Sequence, residues 1–532
     1  MKKKLLALVL STFTVSTLAS CTIDINEVKS IVDQLAGSQD GNSETVVVSQ
    51  QDPADNSEAA SVDPGEVDVS ETVSEQPSQE VSEEPSSAPA SFGTLKYDPT
   101  QQTTVKIYTT ISATKAYGLA FDRDLERFSE LYPNINVDHE RVGSYDDIRD
   151  KLKTELSTGS GPNLAWCYPD HVALYNVSKS VQSLDKFIYN EEVDEQGNLL
   201  YGLTEEQRED FISAYWEEGK SYGDGLMYSL PFSKSTEVLY YNKTEFEANN
   251  LEVPTHWFKD DEGLDPTTSL EYVCEKFKEI YPSDRYIPFG YDSEANWFIT
   301  LTEQYESGYT ALDKNNHFLF DNAKNREFVS KLKEMYDKGY FTTQSIYGSY
   351  TSALFTNGDE AKPTSFMCIG SSAGANNQYP ADGRFEVGVA PIPQINPNNP
   401  KVISQGPNVC MFKKSSQEMV ASWLLLKYLT TNVEVQATYS INSGYVPVIN
   451  SVYENDVYLE FLDGASGYTN GVIAASAVAC REQSESYYTS PAFVGSSAAR
   501  TNVGKLLVSV LNGTDIDEAF RLAVEESEKE LI

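Results

Sequence analysis

From Ser30 to Leu95 the chain carries fourteen Asp or Glu residues and no Lys or Arg, spread among Ser, Pro, Val, Gln and Ala. Runs such as Ser70-Glu71-Thr72-Val73-Ser74-Glu75 and Glu83-Glu84-Pro85-Ser86-Ser87 combine low hydrophobicity with charge of one sign. Such a segment repels itself, stays solvated and cannot bury enough apolar surface to offset the entropy of ordering. Any core must therefore come after it. A flexible chain of this length spans roughly 45 Å, more if its charges stretch it. We read it as a spacer; the other reading, an acidic interaction tail, fits its position less well.

Ahead of the spacer, Met1-Lys2-Lys3-Lys4 is a positive start, Leu5 to Val15 a short apolar stretch broken by Ser and Thr, and Leu18-Ala19-Ser20-Cys21 a small-residue cleavage pattern. These are the parts of an export signal covering residues 1–20. The stretch is too short to span roughly 30 Å of hydrocarbon and no stop-transfer pattern follows, which argues against a permanent transmembrane helix. A cysteine directly after such a site resembles the bacterial lipobox. That resemblance implies lipidation of Cys21, an anchored chain at the extracellular face of the cell membrane, and residues 21–96 as lipidated terminus and disordered tether. An ordinary secretory signal with an incidental cysteine is the alternative.

The net charge of −40 includes −14 from the spacer, and the folded part remains acidic. No basic stripe with interleaved aromatics is present, so nucleic acid is excluded as a partner on electrostatic grounds. Anionic ligands are disfavoured in general, although one local Arg can still hold one. Beyond Cys21 the cysteines are Cys167, Cys274, Cys368, Cys410 and Cys480, with no Cys-x-x-Cys pair. This argues against a disulfide framework and a zinc site, and for buried small apolar side chains. The run Asp260-Asp261-Glu262-Gly263-Leu264-Asp265 lacks the alternating ligands of a calcium loop and reads as a turn. No metal and no cofactor is expected.

About 430 residues remain from Tyr97 onward, too many for one core and suited to two lobes. Thr104-Val105-Lys106-Ile107-Tyr108 is strand-like, and Phe121, Leu125, Phe128 and Leu131 recur at helical spacing over Ala120 to Tyr132. Asn136-Val137-Asp138 starts a second strand, Asp146 to Leu156 a second amphipathic helix, and Asn163-Leu164-Ala165-Trp166-Cys167 a third strand. Strand, helix, strand, helix, strand implies a parallel sheet. Ligands of open sheets lie beyond the carboxyl ends of the strands, here at Thr109-Thr110, Gly143-Ser144-Tyr145 and Tyr168-Pro169-Asp170.

At these residues a family pattern emerges. Val105-Lys106-Ile107-Tyr108-Thr109-Thr110, Phe128-Ser129-Glu130-Leu131-Tyr132-Pro133-Asn134-Ile135-Asn136-Val137, Tyr145-Asp146-Asp147-Ile148-Arg149-Asp150-Lys151-Leu152 and Gly159-Ser160-Gly161-Pro162-Asn163-Leu164 follow one another in an order that resembles the opening of family 1 extracellular solute-binding proteins. Ser229 to Lys243 resembles the first crossover between lobes, Phe355 to Asp359 running into Ser365 to Gly370 the return crossing, and Gly444-Tyr445-Val446-Pro447-Val448 the late Gly-Tyr-x-Pro turn. The similarity covers essentially everything after residue 100. It implies a periplasmic-binding-protein-like α/β fold of type II, two lobes joined by hinge strands, with lobe 1 at 97–236 and 366–412 and lobe 2 at 237–365 and 413–532. It further implies a monomer that captures a carbohydrate and hands it to ABC permease subunits.

An enzyme reading has one motif, Gly370-Ser371-Ser372-Ala373-Gly374, which matches a nucleophile elbow. The histidine that should follow is missing, because His139, His171, His256 and His317 all lie upstream. The segment reads better as a turn whose small residues expose backbone N–H groups to sugar hydroxyls. Carbohydrate recognition needs aromatic faces together with carboxylates, amides and hydroxyls. By positional resemblance the ligand contacts are Thr110, Tyr145, Tyr168, Asp170, Ser235, Trp297, Ser371, Gly406, Tyr445 and Arg500. Trp297 stays open between core and ligand platform, and Arg500 between ligand contact and helix surface. Parts of the chain also resemble a glycerol-3-phosphate-binding branch, but Phe493 and Val494 stand where that branch carries an arginine before the glycine matching Gly495. A receptor for glycerol 3-phosphate or a glycerophosphodiester is therefore the alternative, and a surface glycosidase a more distant one.

Overall fold

β1 (Thr103–Thr109) buries Val105, Ile107 and Tyr108 and leaves Thr104 outside, the alternation of a strand with one covered face. The helix Ala116–Leu131 follows and turns Ala120, Phe121, Leu125 and Phe128 inward, a stripe three to four residues apart. β2 (Ile135–Arg141) pairs with β1 in parallel, as does β3 (Leu164–Cys167). Between them the helix Tyr145–Thr158 starts on a capping box of Ser144 and Asp147 and stops at Gly159, whose φ of +72° suits glycine. The computed structural model describes residues 94–464 and 468–531. The export signal, Cys21 and the acidic spacer to residue 93 lie outside the described residues.

After β4 (Ser229–Pro231) the chain leaves this sheet and builds a second one from β5 (Glu237–Asn242), β6 (Phe289–Tyr291), β7 (Phe341–Thr343), β8 (Met367–Ser371) and β9 (Val387–Ala390), in the order β7-β6-β8-β5-β9. β10 (Val402–Ile403) leads back, and β11 (Asn408–Met411) completes the first sheet as β2-β1-β3-β11-β4. The two orders are the same pattern. In each sheet the strand antiparallel to both neighbours, β11 in the first and β5 in the second, is the one that has just crossed over. Two α/β lobes joined by hinge strands are therefore present as expected.

The expected lobe boundaries are corrected by this pairing. β8 and β9, assigned in advance to lobe 1, hydrogen-bond to β5 in the second sheet, with Leu239 opposite Ile369 and Tyr240 opposite Val389. The helices Ser416–Thr431 and Val433–Ser443, assigned to lobe 2, pack on β1, β4 and β11 and on the helix Ala116–Leu131 of the first. The chain then crosses a third time: the helix Tyr468–Glu482 packs on β5 and β9 of the second sheet, and the helices Ser496–Leu511 and Ile516–Glu528 contribute to the second core. The run Ser365 to Gly370, which by family resemblance reads as the return crossing, instead forms most of β8, a strand paired on both sides within the second sheet.

Two hydrophobic cores hold the fold, the first extending from the first lobe to one face of β5 and β8, the second filling the rest of the second lobe. Phe121 meets Trp166 and Phe232 edge-on in the first, as Phe232 meets Tyr439, and in the second Trp297 stacks on Tyr291, tilts against Trp257 and meets Phe289 edge-on. All five cysteines of the described residues are buried and unpaired.

At the hinge three segments run side by side. Lys234 and Val446 exchange backbone hydrogen bonds of 2.7 and 3.1 Å, Ser235 and Gln405 two of 2.9 Å, and Ser372 N–H donates to Thr236 O at 2.9 Å. Gly406 has φ +93°, and a Cβ there would lie 2.4 Å from Ser233 O, so a side chain would force the crossings apart.

Candidate functional site

Between the lobes lies a cleft of about 730 Å³, lined from both sides and from the hinge. The strand ends of the first sheet supply one wall. Tyr145 starts the helix after β2, and Tyr168 caps the short helix Pro169–Tyr175 after β3; their rings sit 4.7 Å apart at 47°. Tyr445 joins them from the Gly-Tyr-x-Pro turn. Asp170 and His171 lie in the first turn of that short helix, where Asp170 Oδ1 accepts the His171 N–H at 3.0 Å. This places aromatic faces and one carboxylate on the same wall.

The second lobe answers with a polar wall. Asp292, Asn296, Tyr309, Tyr350, Gln378 and Arg500 contribute to it, from the end of β6, the helix Glu294–Gln304, loops and the helix Ser496–Leu511. Asp292 accepts from the Thr351 hydroxyl at 2.7 Å, and burial holds its carboxyl above the usual range against that bond. Tyr350 is 62% exposed, a ring that the protein leaves uncovered. Four buried atoms in the lining have no hydrogen-bond partner among the described residues: Tyr145 Oη, His171 Nδ1, Tyr309 Oη and Gln378 Oε1. Burial keeps the His171 imidazolium disfavoured, so the ring is neutral near pH 7. Each unmet buried polar group costs about 1–3 kcal/mol, which a polar guest can recover.

Of the ten residues singled out in the sequence, Tyr145, Tyr168, Asp170, Ser235, Ser371, Tyr445 and Arg500 line this cleft. Trp297 does not. Its ring is fully buried and stacks on Tyr291 at 4.6 Å and 9°, so the platform reading gives way to the core reading. Its neighbours Ala295, Asn296 and Ile299 face the cleft instead. Thr110 is partly exposed just past the end of β1 and lies outside the lining. Gly406 also lies outside it; its carbonyl accepts from Lys234 Nζ at 3.1 Å, and Gln405 beside it reaches the cleft.

Glu237 and Asn296 were missed. A charged residue at the start of the run Glu237-Val238-Leu239-Tyr240-Tyr241 was the available signal, since a carboxylate entering a buried strand requires partners. Its carboxyl is pushed up to about 7 by burial, opposed by hydrogen bonds from Tyr291 and Asn296 and by the charge of Arg500.

Ser372, the serine of the Gly-x-Ser-x-Gly match, is fully buried, and among the described residues its hydroxyl has no hydrogen-bond partner. Ser371 Oγ instead accepts the Ala373 N–H at 3.2 Å and donates to Ser235 Oγ at 3.2 Å. The geometry is that of a capped turn at the hinge. Cys167 is buried in β3, which pushes its thiol well above the usual range, the opposite of an activated nucleophile.

Residues 125–460 match the family model described as "Bacterial extracellular solute-binding protein". The maltotriose-binding protein of Pyrococcus abyssi is 23% identical over 339 residues, 62% of this chain and 63% of its own length. The chain thus spans somewhat under two thirds of that relative. The sn-glycerol-3-phosphate-binding periplasmic protein of Salmonella typhimurium is 25% identical over 350 residues, 63% of this chain and 73% of its own. Among solved structures, the GacH receptor of Streptomyces glaucescens, determined unliganded and in complex with acarbose and an acarbose homolog, superimposes with a TM-score of 0.62 at 18% identity. That match covers 80% of this chain and 98% of the receptor, and it bears on the fold, which is the type II periplasmic-binding-protein arrangement. A family model that takes in well over half the chain, with a fold and an interlobe cleft to match, makes this a member of the bacterial extracellular solute-binding proteins.

Proposed function

We propose that the protein captures a sugar or oligosaccharide between its lobes and delivers it, chemically unchanged, to the permease subunits of an ABC importer. The observation that carries this reading is the two-faced cleft: tyrosine rings from the first lobe oppose buried polar atoms, among them Tyr309 Oη and Gln378 Oε1, that the protein itself leaves unpartnered. Aromatic rings suit the C–H faces of pyranoses, and unpartnered donors and acceptors suit their hydroxyls. The ligand-facing set we assign is Tyr145, Tyr168, Asp170, Ser235, Ser371, Tyr445 and Arg500. A solute touching both walls favours the closed arrangement by its differential contacts, and that shape is what the permease receives. The protein acts as a monomer, anchored through lipidated Cys21 at the extracellular face. No covalent chemistry is part of this reading, in keeping with the solute-binding family to which the chain belongs.

A second reading, capture of glycerol 3-phosphate or a glycerophosphodiester, draws on Arg500 as a guanidinium of the cleft and on the glycerol-3-phosphate-binding relative. Thermal-shift titration of the mature chain separates the readings, because a ligand that binds the native state raises the melting temperature with occupancy. Maltotriose and other neutral oligosaccharides should raise it and sn-glycerol 3-phosphate should not. A response to the phosphate ester alone would reverse the assignment, and release of reducing sugar from an oligosaccharide would end the transport reading.

A further inference from the structure

Glu237 stands at the first position of β5, where the chain has just left the hinge, and only 1% of it is exposed. Both of its carboxylate oxygens are engaged. Tyr291 Oη donates to Oε2, and Asn296 Nδ2 donates to Oε1 at 3.0 Å. The second bond decides which way the Asn296 amide faces: its NH2 must point at the carboxylate, which leaves Oδ1 on the other side. That oxygen accepts from the Arg500 guanidinium. Carboxylate, amide and guanidinium thus form one chain that starts at the hinge strand and runs along the cleft, whose lining takes in all three residues.

With a neutral group at 237 that could not accept twice, the amide would be free to turn and present its NH2 to the guanidinium, which has no acceptor to offer. We infer that Glu237 is a positioning residue that acts through Asn296 to set the aim of Arg500 in the cleft and to couple it to the first hinge strand. Its part in solute capture rests on the cleft being the solute site, whereas the three-residue relay stands on its own. The strand is held from the other side as well, by Gln483 Nε2 donating to Glu237 O at 3.1 Å.

The groups facing the carboxylate are Tyr291 from β6, Asp292 and Asn296 around the start of the helix Glu294–Gln304, and Arg500 from the helix Ser496–Leu511. Burial raises its carboxyl to about 7, Asp292 adds in the same direction, and Tyr291, Asn296 and Arg500 oppose. Above neutrality the relay joins an anion to a cation and is strong; below it the carboxyl is protonated and the relay slackens.

The test is a ligand-free double-variant cycle on the mature chain, comparing melting temperatures of wild type, Glu237→Gln, Arg500→Gln and the pair at pH 8 and pH 5.5. At pH 8 the pair should lose clearly less than the sum of the single losses, and at pH 5.5 the losses should approach additivity. A purely structural role for Glu237 would leave the coupling equal at both pH values, and this, or additive losses at pH 8, overturns the inference. If Glu237→Gln does not fold, the Asn296→Ala and Arg500→Gln cycle interrogates the same relay from its middle, with additivity at pH 8 again fatal. No solute enters the experiment, so a mistaken ligand assignment cannot produce either outcome.

Discussion

Lys234 Nζ lies 2.7 Å from Glu218 Oε2, with the two side chains 0% and 2% exposed. Lys234 belongs to the first crossing and Glu218 ends the helix Ser213–Glu218 of the first lobe. Lys234 also donates to Gly406 O, and Ser404 Oγ donates to Glu218 Oε2 at 2.9 Å, so one buried ion pair ties both crossings to the first lobe. Burial lowers the ammonium's pKa, and the charge of Glu218 opposes that shift.

Lys234→Met should cost about 3–5 kcal/mol at pH 7, because it strands Glu218 as a buried unpaired charge. The pair Lys234→Met with Glu218→Gln should recover most of that loss, as replacing both partners removes the stranded charge. Urea denaturation measures both; a cost under about 1 kcal/mol for the single change would show that Glu218 finds water or another partner.

Asp170→Ala should weaken solute binding by at least about tenfold, roughly 1.4 kcal/mol, and leave the ligand-free melting temperature in place. The residue is half-buried at the mouth of a short helix and holds up only one local N–H. Calorimetry with the first solute identified by thermal shift decides it, and unchanged affinity would take Asp170 out of the site.

Trp297→Ala and Tyr350→Ala should separate core from cleft. Removing the stacked, fully buried Trp297 should cost about 3–5 kcal/mol of stability. Removing Tyr350, 62% exposed in the lining, should leave stability within about 0.5 kcal/mol and lower solute affinity several-fold. The opposite pattern would mean that the aromatic platform has been assigned to the wrong ring.

Asp124→Asn should flatten part of the stability profile against pH. Asp124 is 1% exposed, neither of its carboxylate oxygens has a hydrogen-bond partner, and burial raises its carboxyl to about 7 against the pull of Arg127 and Arg123. The folded state therefore binds a proton that the unfolded state has released between about pH 4 and pH 7. Its contribution is fully present below the unfolded pKa of 3.8 and is lost as pH rises to about 7. The variant should be more stable than wild type at pH 8, by the order of 1–3 kcal/mol, with the advantage shrinking toward pH 4. Equal slopes for the two proteins would refute it.

Much of the fold was legible because it is local. The strands around Val105 and Trp166, the helix with Phe121 and Phe128 on one face, and the Asp515 cap that starts Ile516–Glu528 each follow from spacing within a few residues. Six of the seven cleft residues were reachable because strand ends and crossover turns are places in sequence as well as in space; Arg500, on the helix Ser496–Leu511, came from family resemblance alone. The pairing of Leu239 with Ile369 and of Val409 with Trp166 joins segments more than a hundred residues apart, and no local period reports it. That is why the lobe boundaries, the third crossing at 412/413 included, were misplaced.

By itself the sequence determined the local elements, the acidic composition that leaves residues 30–95 without a core, and the order of motifs that marks the family. Only the tertiary structure decided that Trp297 packs inward while Asn296 beside it faces the cleft, and that Glu237, Asn296 and Arg500 converge from β5 and two helices. Side-chain direction around a helix turns by about 100° per residue, so adjacent positions serve opposite masters, and which of them meets solvent depends on the sheet that the helix packs against.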